Sequence, residues 1–232
     1  MDSIVFLPGL LCDARLWQAQ TAALSGEYDC RVPALDGEDN IPALARHVLA
    51  EAPEHFHLVS LSMGGYIAME IMRQAPERVI RLMLCDTSAR PDTPEQKERR
   101  QTLLTLSRSG KFKGVTPRLL PSLIHVDRLQ DSTVTAPILA MAERIGREGF
   151  QRQQTAIMGR IDSRPFLPQI TCPTMIVVGA NDQLTPLPIA NEMVNLIPQA
   201  GLEIIPHCGH LPPLEQPTTF NQLLLAWLKI SA

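Results

Sequence analysis

Ser62 lies in the run Leu58-Val59-Ser60-Leu61-Ser62-Met63-Gly64-Gly65, where an apolar stretch gives way to a segment of helical spacing. A serine presented on a very sharp strand-to-helix turn needs small residues two positions before and two after it, because those positions close on one another. Ser60 stands where the Gly-x-Ser-x-Gly pattern has its first glycine, Gly64 meets the second requirement, and Gly65 comes next. Such a turn sets Ser62 at a helix N-terminus, where unpaired N–H groups and the helix dipole favour developing negative charge. A serine N-cap before packing glycines would look the same, so the motif alone does not decide.

A hydroxyl becomes a useful nucleophile only when a base takes its proton. His210 lies in Ile204-Ile205-Pro206-His207-Cys208-Gly209-His210-Leu211, after the last apolar run and before the last helical stretch. Gly209 lets that loop bend, and Leu211-Pro212-Pro213 fixes the chain beyond it. His207 is the rival base, while His47, His55, His57 and His125 are read as surface histidines. A zinc site at His207-Cys208-Gly209-His210 lacks further ligands nearby at metal spacing.

The base needs an acid to fix its tautomer and stabilise the imidazolium. Asp182, in Val178-Gly179-Ala180-Asn181-Asp182-Gln183, comes after an apolar run and fits that role. An Asx-turn or cap ahead of Pro186 is the competing explanation. Asp86 is the backup acid, and Asp36 is further from this logic. An oxyanion needs two backbone donors: the N–H of Met63, next after the serine, and one from Phe6-Leu7-Pro8-Gly9-Leu10-Leu11. Gly9 lets the N–H of Leu10 swing inward, and each such donor lowers the barrier by roughly 3 kcal/mol.

Six short apolar runs must position these groups: Ser3–Leu7, Tyr28–Pro33, Phe56–Leu61, Ile80–Asp86, Thr174–Gly179 and Leu202–Pro206. Most are continuously apolar, as in strands covered on both faces. Helical stripes lie between them, one of Ile67, Ile71, Met72 and Ala75, another of Phe220, Leu223, Leu224, Trp227 and Leu228. Strands alternating with helices predict an α/β protein with a parallel sheet. Ser62, Asp182 and His210 then each fall at the carboxyl end of a strand.

The alternation breaks between about Arg90 and Pro165, where helical patterns are separated by Gly and Pro. One helix is predicted to start at Thr135 as N-cap, with Pro137 in its first turn and Val134 stapled to Leu139. Ile138, Met141, Ala142 and Ile145 form its apolar face. The mixed-sign run Glu95-Gln96-Lys97-Glu98-Arg99-Arg100 is read as a solvated helix face. The domain organisation expected is a core of residues 1–89 and 166–232 with a helical cap inserted at 90–165. Leaving the carboxyl edge of a parallel sheet, such an insertion would sit over the ligand crevice.

The 232 residues fit one domain, or one core with an inserted subdomain. A net charge of −3, with 45% hydrophobic and 19% charged residues, gives no electrostatic reason to expect nucleic acid or an anionic membrane as partner. No apolar run approaches the ~18–20 residues needed to span a bilayer. Ile4-Val5-Phe6-Leu7 lacks a basic flank and runs into Pro8-Gly9, so it is read as buried strand rather than leader. Cys12, Cys30, Cys85, Cys172 and Cys208 are odd in number and without close pairs, which predicts reduced thiols in a cytoplasmic protein.

Over nearly its full length the chain resembles the α/β-hydrolase superfamily. The matching pieces are Phe6-Leu7-Pro8-Gly9, Ser60-Leu61-Ser62-Met63-Gly64-Gly65, Ile176-Val177-Val178-Gly179-Ala180-Asn181-Asp182 and Gly209-His210-Leu211-Pro212-Pro213-Leu214-Glu215-Gln216-Pro217. The chain order Ser, Asp, His is also the order on such sheets. The resemblance implies nucleophile Ser62, acid Asp182, base His210, oxyanion amides at Leu10 and Met63, and a helical cap as in small esterases, enol-lactonases and carbon–carbon bond hydrolases. Pro8-Gly9 departs from the His-Gly of many relatives, so side-chain bracing of that loop must differ. Because the chain opens directly on this strand, the expected sheet has six strands in the order 2-1-3-4-5-6 and no amino-terminal hairpin.

The expected reaction is two-step acyl transfer from a small-molecule ester, with no metal or organic cofactor. Leu11, Leu184 and Leu211 are expected to line an apolar pocket. A lactone, a thioester or a carbon–carbon bond could be cut on the same triad, since chemistry depends on the site rather than the fold. Arg15, Arg108, Arg144 and Arg160 are the cations that would receive a carboxylate substrate. A non-catalytic ligand-binding protein is the reading from another class, and the intact triad stands against it.

Overall fold

Alternate residues along the central strands divide between two apolar faces, which lets one sheet hold two cores. The computed structural model describes residues 1–109, 112 and 114–229. Its strands are β1 (Ser3–Leu7), β2 (Asp29–Arg31), β3 (Phe56–Leu61), β4 (Val79–Cys85), β5 (Thr174–Gly179) and β6 (Gly201–Ile205). They form one six-stranded, all-parallel sheet in the order β2-β1-β3-β4-β5-β6, as expected. The helices are α1 (Gln18–Leu24), α2 (Ile41–Glu51), α3 (Met63–Gln74), α4 (Pro94–Ser109), α5 (Ser132–Met158), α6 (Leu187–Leu196), α7 (Pro212–Glu215) and α8 (Pro217–Lys229).

Val5, Leu7, Leu58, Leu82, Leu84, Ile176 and Val178 share one core with α2, α3 and α6. Ile4, Phe6, Val59, Leu61, Met83, Cys85 and Val177 face the other, with Trp17 and the α8 residues Phe220, Leu224 and Trp227. Every residue of β1 and β3 is buried. Burying each large apolar side chain contributes roughly 1.5–3 kcal/mol, so a continuous apolar run stabilises a strand in a central position. The edge strand β2 is shorter than the predicted Tyr28–Pro33 and pairs only across Ser3–Val5. Asp86 falls outside β4 because its φ of 42° takes the chain out of the extended region.

Between β4 and β5 the described residues contain no strand; they form α4, 3-10 turns at Pro117–Ser122 and Val126–Arg128, α5 and a further 3-10 turn at Leu167–Gln169. Residues 110, 111 and 113 of the predicted insertion lie outside the described residues. The two ends of the stretch meet, with Ser163 N–H donating to Ala89 O at 2.8 Å. Nearby, the buried Asp92 carboxylate pairs with Arg100 and Arg160, and the Arg160 guanidinium lies 4.3 Å from the Tyr66 ring centre. The run from Glu95 to Arg99 is exposed, as predicted for a solvated face.

α5 corrects one expectation. It starts at Ser132 rather than after Thr135, because Asp131 caps it, accepting the Thr133 N–H at 2.9 Å. Val134 is therefore inside the helix, and Pro137 lies beyond its first turn. Val134, Ile138, Met141 and Ala142 are buried on one face, so the predicted stripe stands although its start does not. Gly146, at φ 66° and ψ −171°, breaks the helix into two halves. Among the described residues no helix is long and apolar enough to cross a membrane.

Candidate active site

The chain turns from β3 into α3 at a single residue, Ser62, whose φ of 56° and ψ of −114° are a strained pair for a residue with a side chain. Three contacts hold it there. Ser62 N–H donates to Cys85 O at 3.0 Å, and Ser62 O accepts the Thr87 hydroxyl at 2.7 Å and the Gly65 N–H at 2.9 Å. A Cβ on Gly64 would stand 2.3 Å from Leu7 O, and one on Gly65 would stand 2.3 Å from Thr87 Oγ1. The glycines are thus required by packing against β1 and the loop after β4. Ser60 fits where a glycine was expected because its hydroxyl donates to Met83 O at 3.0 Å.

The loops that carry Asp182 and His210 close against each other at the same carboxyl edge. His210 Nδ1 lies 2.8 Å from Asp182 Oδ2, with both side chains at 5% exposure or less. Asp182 also accepts the Leu184 N–H on Oδ1 at 2.8 Å and the Thr185 hydroxyl on Oδ2. Burial works against its charge, but the adjoining His210 and these hydrogen bonds outweigh it and hold the carboxyl well below the usual carboxylate range. The loops themselves are laced together by Asn181 N–H on Cys208 O at 2.8 Å, and a Cβ on Gly179 would strike Gly209 O. With Nδ1 turned to Asp182, Nε2 is the nitrogen left for another partner.

The loop after β1 passes directly beside the serine: a Cβ on Gly9 would lie 3.3 Å from Ser62 Cβ. Leu11, at φ 58°, donates its N–H to Gln153 Oε1 at 3.0 Å, while Gln153 Nε2 donates to Leu35 O at 3.1 Å. Among the described residues no hydrogen bond is made by the N–H of Leu10 or of Met63. The β1 loop and the start of α3 therefore each hold an N–H without a protein acceptor among those residues, that of Leu10 and that of Met63.

The profile of the alpha/beta hydrolase family matches residues 4–223. The chain belongs to this family. The pimeloyl-(acyl-carrier protein) methyl ester esterase of Nitrosomonas europaea is 26% identical, over 94% of this chain and 92% of that protein. A 2-hydroxy-6-oxononadienedioate/2-hydroxy-6-oxononatrienedioate hydrolase of a Pseudomonas species is 30% identical, over 74% of this chain and 62% of that one. The solved structure of a thermophilic esterase from Thermogutta terrifontis is similar with a TM-score of 0.89 and 30% identity, covering 99% of this chain and 90% of that one.

In this hydrolase the backup acid Asp86 is a neighbour of the pair rather than a substitute for it. Its carboxylate forms a cluster with the Asp182 carboxylate and the His210 imidazole, the facing atoms lying within 4.8 Å of one another. Oδ1 accepts the Gly179 N–H at 2.9 Å, and Oδ2 is buried without a hydrogen bond. Burial, then the Asp182 charge, pushes its carboxyl well above the usual range, the Gly179 N–H opposing in part. Asp36 lies elsewhere, its carbonyl accepting from Arg152 of α5.

Other residues singled out in the sequence of the hydrolase fall differently. Leu11 joins an apolar cluster with Leu10, Ala142, Phe150, Phe112 and Val115, beside the β1 loop. Leu184 is 45% exposed, and Leu211 is packed in the second core with Cys208 and Phe220. Arg144 is paired with Asp13 at 2.7 Å and Arg160 with Asp92 at 2.7 Å, whereas Arg15 and Arg108 are exposed. His57 is not at the surface: it is 5% exposed between Tyr28 and Trp227, because β3 is covered on both faces. The His125 side chain is also largely covered, at 11% exposure, and His207 is exposed.

Two residues that matter to the hydrolase site carry little or no mark in the sequence. Glu215, at 0% exposure, accepts N–H groups from Gly209, Leu211 and His125, and Gln153 ties the β1 loop to α5. For Glu215 the signal is an acid between Leu214 and the proline-bounded start of α8; for Gln153 there is none.

Proposed function

We propose that this hydrolase cleaves a small-molecule carboxylic ester through an acyl-enzyme, with Ser62 as nucleophile, His210 as general base and Asp182 as the acid that orients it. The observation that carries the reading is the buried 2.8 Å contact of His210 Nδ1 with Asp182 Oδ2, at the sheet edge where Ser62 occupies its strained turn. Asp182 keeps the proton on Nδ1, so Nε2 is free to accept the Ser62 hydroxyl proton as Oγ attacks the ester carbonyl. The oxyanion is received by the N–H groups of Leu10 and Met63. His210 returns the proton to the leaving alcohol, and water then repeats the sequence on the acyl-enzyme.

The acyl group is placed against the apolar cluster of Leu10, Leu11, Ala142 and Phe150, which favours small or medium uncharged groups. The Pseudomonas relative is a hydrolase of a dioate, a doubly anionic compound. Arg144 and Arg160, two cations that could have received a carboxylate, are already neutralised by Asp13 and Asp92. An ester is therefore preferred to a carbon–carbon bond in such an acid, and lactones and thioesters undergo the same chemistry. Residues 90–165 act as the cap over a core of 1–89 and 166–232. The five free thiols, three of them buried, suit a reducing cytoplasm.

The test is labelling with a fluorophosphonate and turnover of chromogenic short-chain esters by the wild type, Ser62→Ala and His210→Ala. Stoichiometric labelling at Ser62 is expected, with a loss of turnover of ~10³-fold or more in either variant. Labelling elsewhere, or full activity without Ser62, would end the assignment.

A further inference from the structure

On the surface beside the base loop, a second group of ligand-bearing side chains comes together from two distant parts of the chain. His125 and Asp127 belong to the turn at Val126–Arg128 in the stretch between β4 and β5, and His207 comes after β6. One ligand atom from each lies within 4.8 Å of the other two. The two imidazoles stand edge to face with ring centres 5.6 Å apart, and His125 Nδ1 is 3.4 Å from Asp127 Oδ2. Metal spacing along the chain is missing near His207 because its partners come from across the fold.

We propose that His125, Asp127 and His207 bind a divalent transition cation of the zinc, nickel or copper class. Two imidazoles and one carboxylate suit these borderline metals and not magnesium or calcium, which take all-oxygen sets. Three protein ligands leave the remaining positions to water. The site is organised in advance by a single buried acid. Glu215 Oε2 accepts the His125 N–H at 2.7 Å, and both its oxygens accept the Gly209 N–H, so both ligand-bearing turns hang from one carboxylate. Gln216 Nε2 donates to His207 O at 3.2 Å, where the backbone is held at φ 51°. A cation on His125 Nδ1 would replace a long 3.3 Å contact from the Asp127 N–H and enter beside Asp127 Oδ2, which lies 3.4 Å away.

Two comparisons within the molecule sharpen the assignment. His47 and Glu51 form another histidine–carboxylate pair, at 3.6 Å, but among the described residues no third ligand joins them. The other cluster of three, Asp86, Asp182 and His210, is fully buried, with His210 Nδ1 held by Asp182 and the carboxylates bonded to Gly179, Leu184 and Thr185. The surface trio is the accessible one. A cation there joins the inserted stretch to the base loop, so it stabilises the folded chain by mass action.

Calorimetric titration of the full chain with Zn²⁺, together with thermal melts with and without Zn²⁺, tests this. One equivalent should bind and raise Tm, and His125→Ala, His207→Ala and Asp127→Asn should each weaken binding, the histidine variants by about 10-fold or more. Asp127→Asn changes an exposed side chain, so its fold is not at risk. Cu²⁺ bound to the wild type should show two-nitrogen coupling by electron paramagnetic resonance, falling to one in His207→Ala. Wild-type affinity in His207→Ala or Asp127→Asn, no binding at all, or binding lost only in His210→Ala would each overturn the proposal, the last by moving the cation into the buried cluster.

Discussion

Glu215 holds Gly209 with both oxygens of its carboxylate, Oε1 at 3.1 Å and Oε2 at 3.0 Å from the amide nitrogen. The same side chain accepts the Leu211 N–H at 3.0 Å, so the backbone on either side of His210 is fixed by one buried acid. His210 N–H itself donates to Leu123 O at 2.9 Å. His210 is therefore positioned through its main chain as well as by the contact of Asp182 with its ring.

Removing that acid should be costly in a particular way. Glu215→Ala leaves three N–H groups without their acceptor, and a buried donor left unmade costs about 1–3 kcal/mol. We expect a clear fall in denaturation midpoint and, in the folded fraction, a lower kcat with little change in KM. Glu215→Gln keeps one acceptor oxygen and should lie between. Full ester turnover in folded Glu215→Ala would mean that the loop is held by other means.

Asp182 and Asp86 should separate sharply in turnover. Asp182→Asn cannot hold the proton on His210 Nδ1, so kcat should fall by ~10³-fold or more. Asp86→Asn keeps the contact with Gly179 and should cost less than about 10-fold. Steady-state rates on one ester decide, and the opposite ranking would move the orienting acid to the end of β4.

The same Asp86 variant carries a pH signature. In the fold its carboxyl is pushed up by burial and by the Asp182 charge, whereas unfolded it ionises near 3.9. Between those values the folded chain holds the extra proton, so stability falls as pH rises. The contribution is complete below about 3.9 and lost as pH passes the folded value. Asn has no proton to lose. Melts of Asp86→Asn and wild type should converge in acid and diverge toward neutral and alkaline pH with the variant higher, by about 2–4 °C for each kcal/mol regained. A difference that does not change with pH would show Asp86 to be ionised in the fold.

Gly64 and Gly26 make a matched pair. A methyl on Gly64 meets the Leu7 carbonyl oxygen at 2.3 Å, and backbone on that side cannot swing away. Gly64→Ala should lose about 3 kcal/mol or more by urea denaturation. A methyl on Gly26 meets nothing within 4 Å. Gly26→Ala should be neutral or stabilising by about 0.4–1 kcal/mol. Equal midpoints for the two would contradict the packing of α3 on β1.

Gln153→Leu should act on catalysis through the β1 loop. It leaves the Leu11 N–H and the Leu35 carbonyl unpaired at a residue of 0% exposure. A small displacement of the adjoining Leu10 amide should lower kcat roughly 10–100-fold. Unchanged kcat in a folded variant would remove Leu10 from the oxyanion role.

The sheet is legible in the sequence because strands covered on both faces leave continuous apolar runs, whereas the strand order follows only from the resemblance to α/β-hydrolases, since the same alternation fits other orders. The placement of Ser62, Asp182 and His210 at one edge of the sheet is legible because each follows an apolar run, all three with glycine within three residues. The features that escape depend on tertiary contact. Gln153 is an ordinary helical glutamine until Leu11 and Leu35 are placed against it. The Thr135 start fails because Asp131, four residues earlier, offers a carboxylate cap that the apolar stripe does not reveal. His57 departs from the surface reading despite a usable signal, its place inside the Phe56–Leu61 run. His125 and Asp127 have no signal at all, since their partner His207 is distant in the chain.

Because Ser163 and Ala89 are joined by a hydrogen bond, the stretch between β4 and β5 leaves and re-enters the sheet through one narrow doorway. The free energy of closing that doorway depends only slowly on the length of chain beyond it. On the proposed reading, evolution or an engineer could exchange much of the segment for a longer, shorter or differently shaped one and leave the proton relay standing, provided the Leu123 carbonyl on His210 and the Gln153 tie to the β1 loop are kept. Substrate preference would then change by transplanting one continuous piece of chain, without redesign of the catalytic floor beneath it.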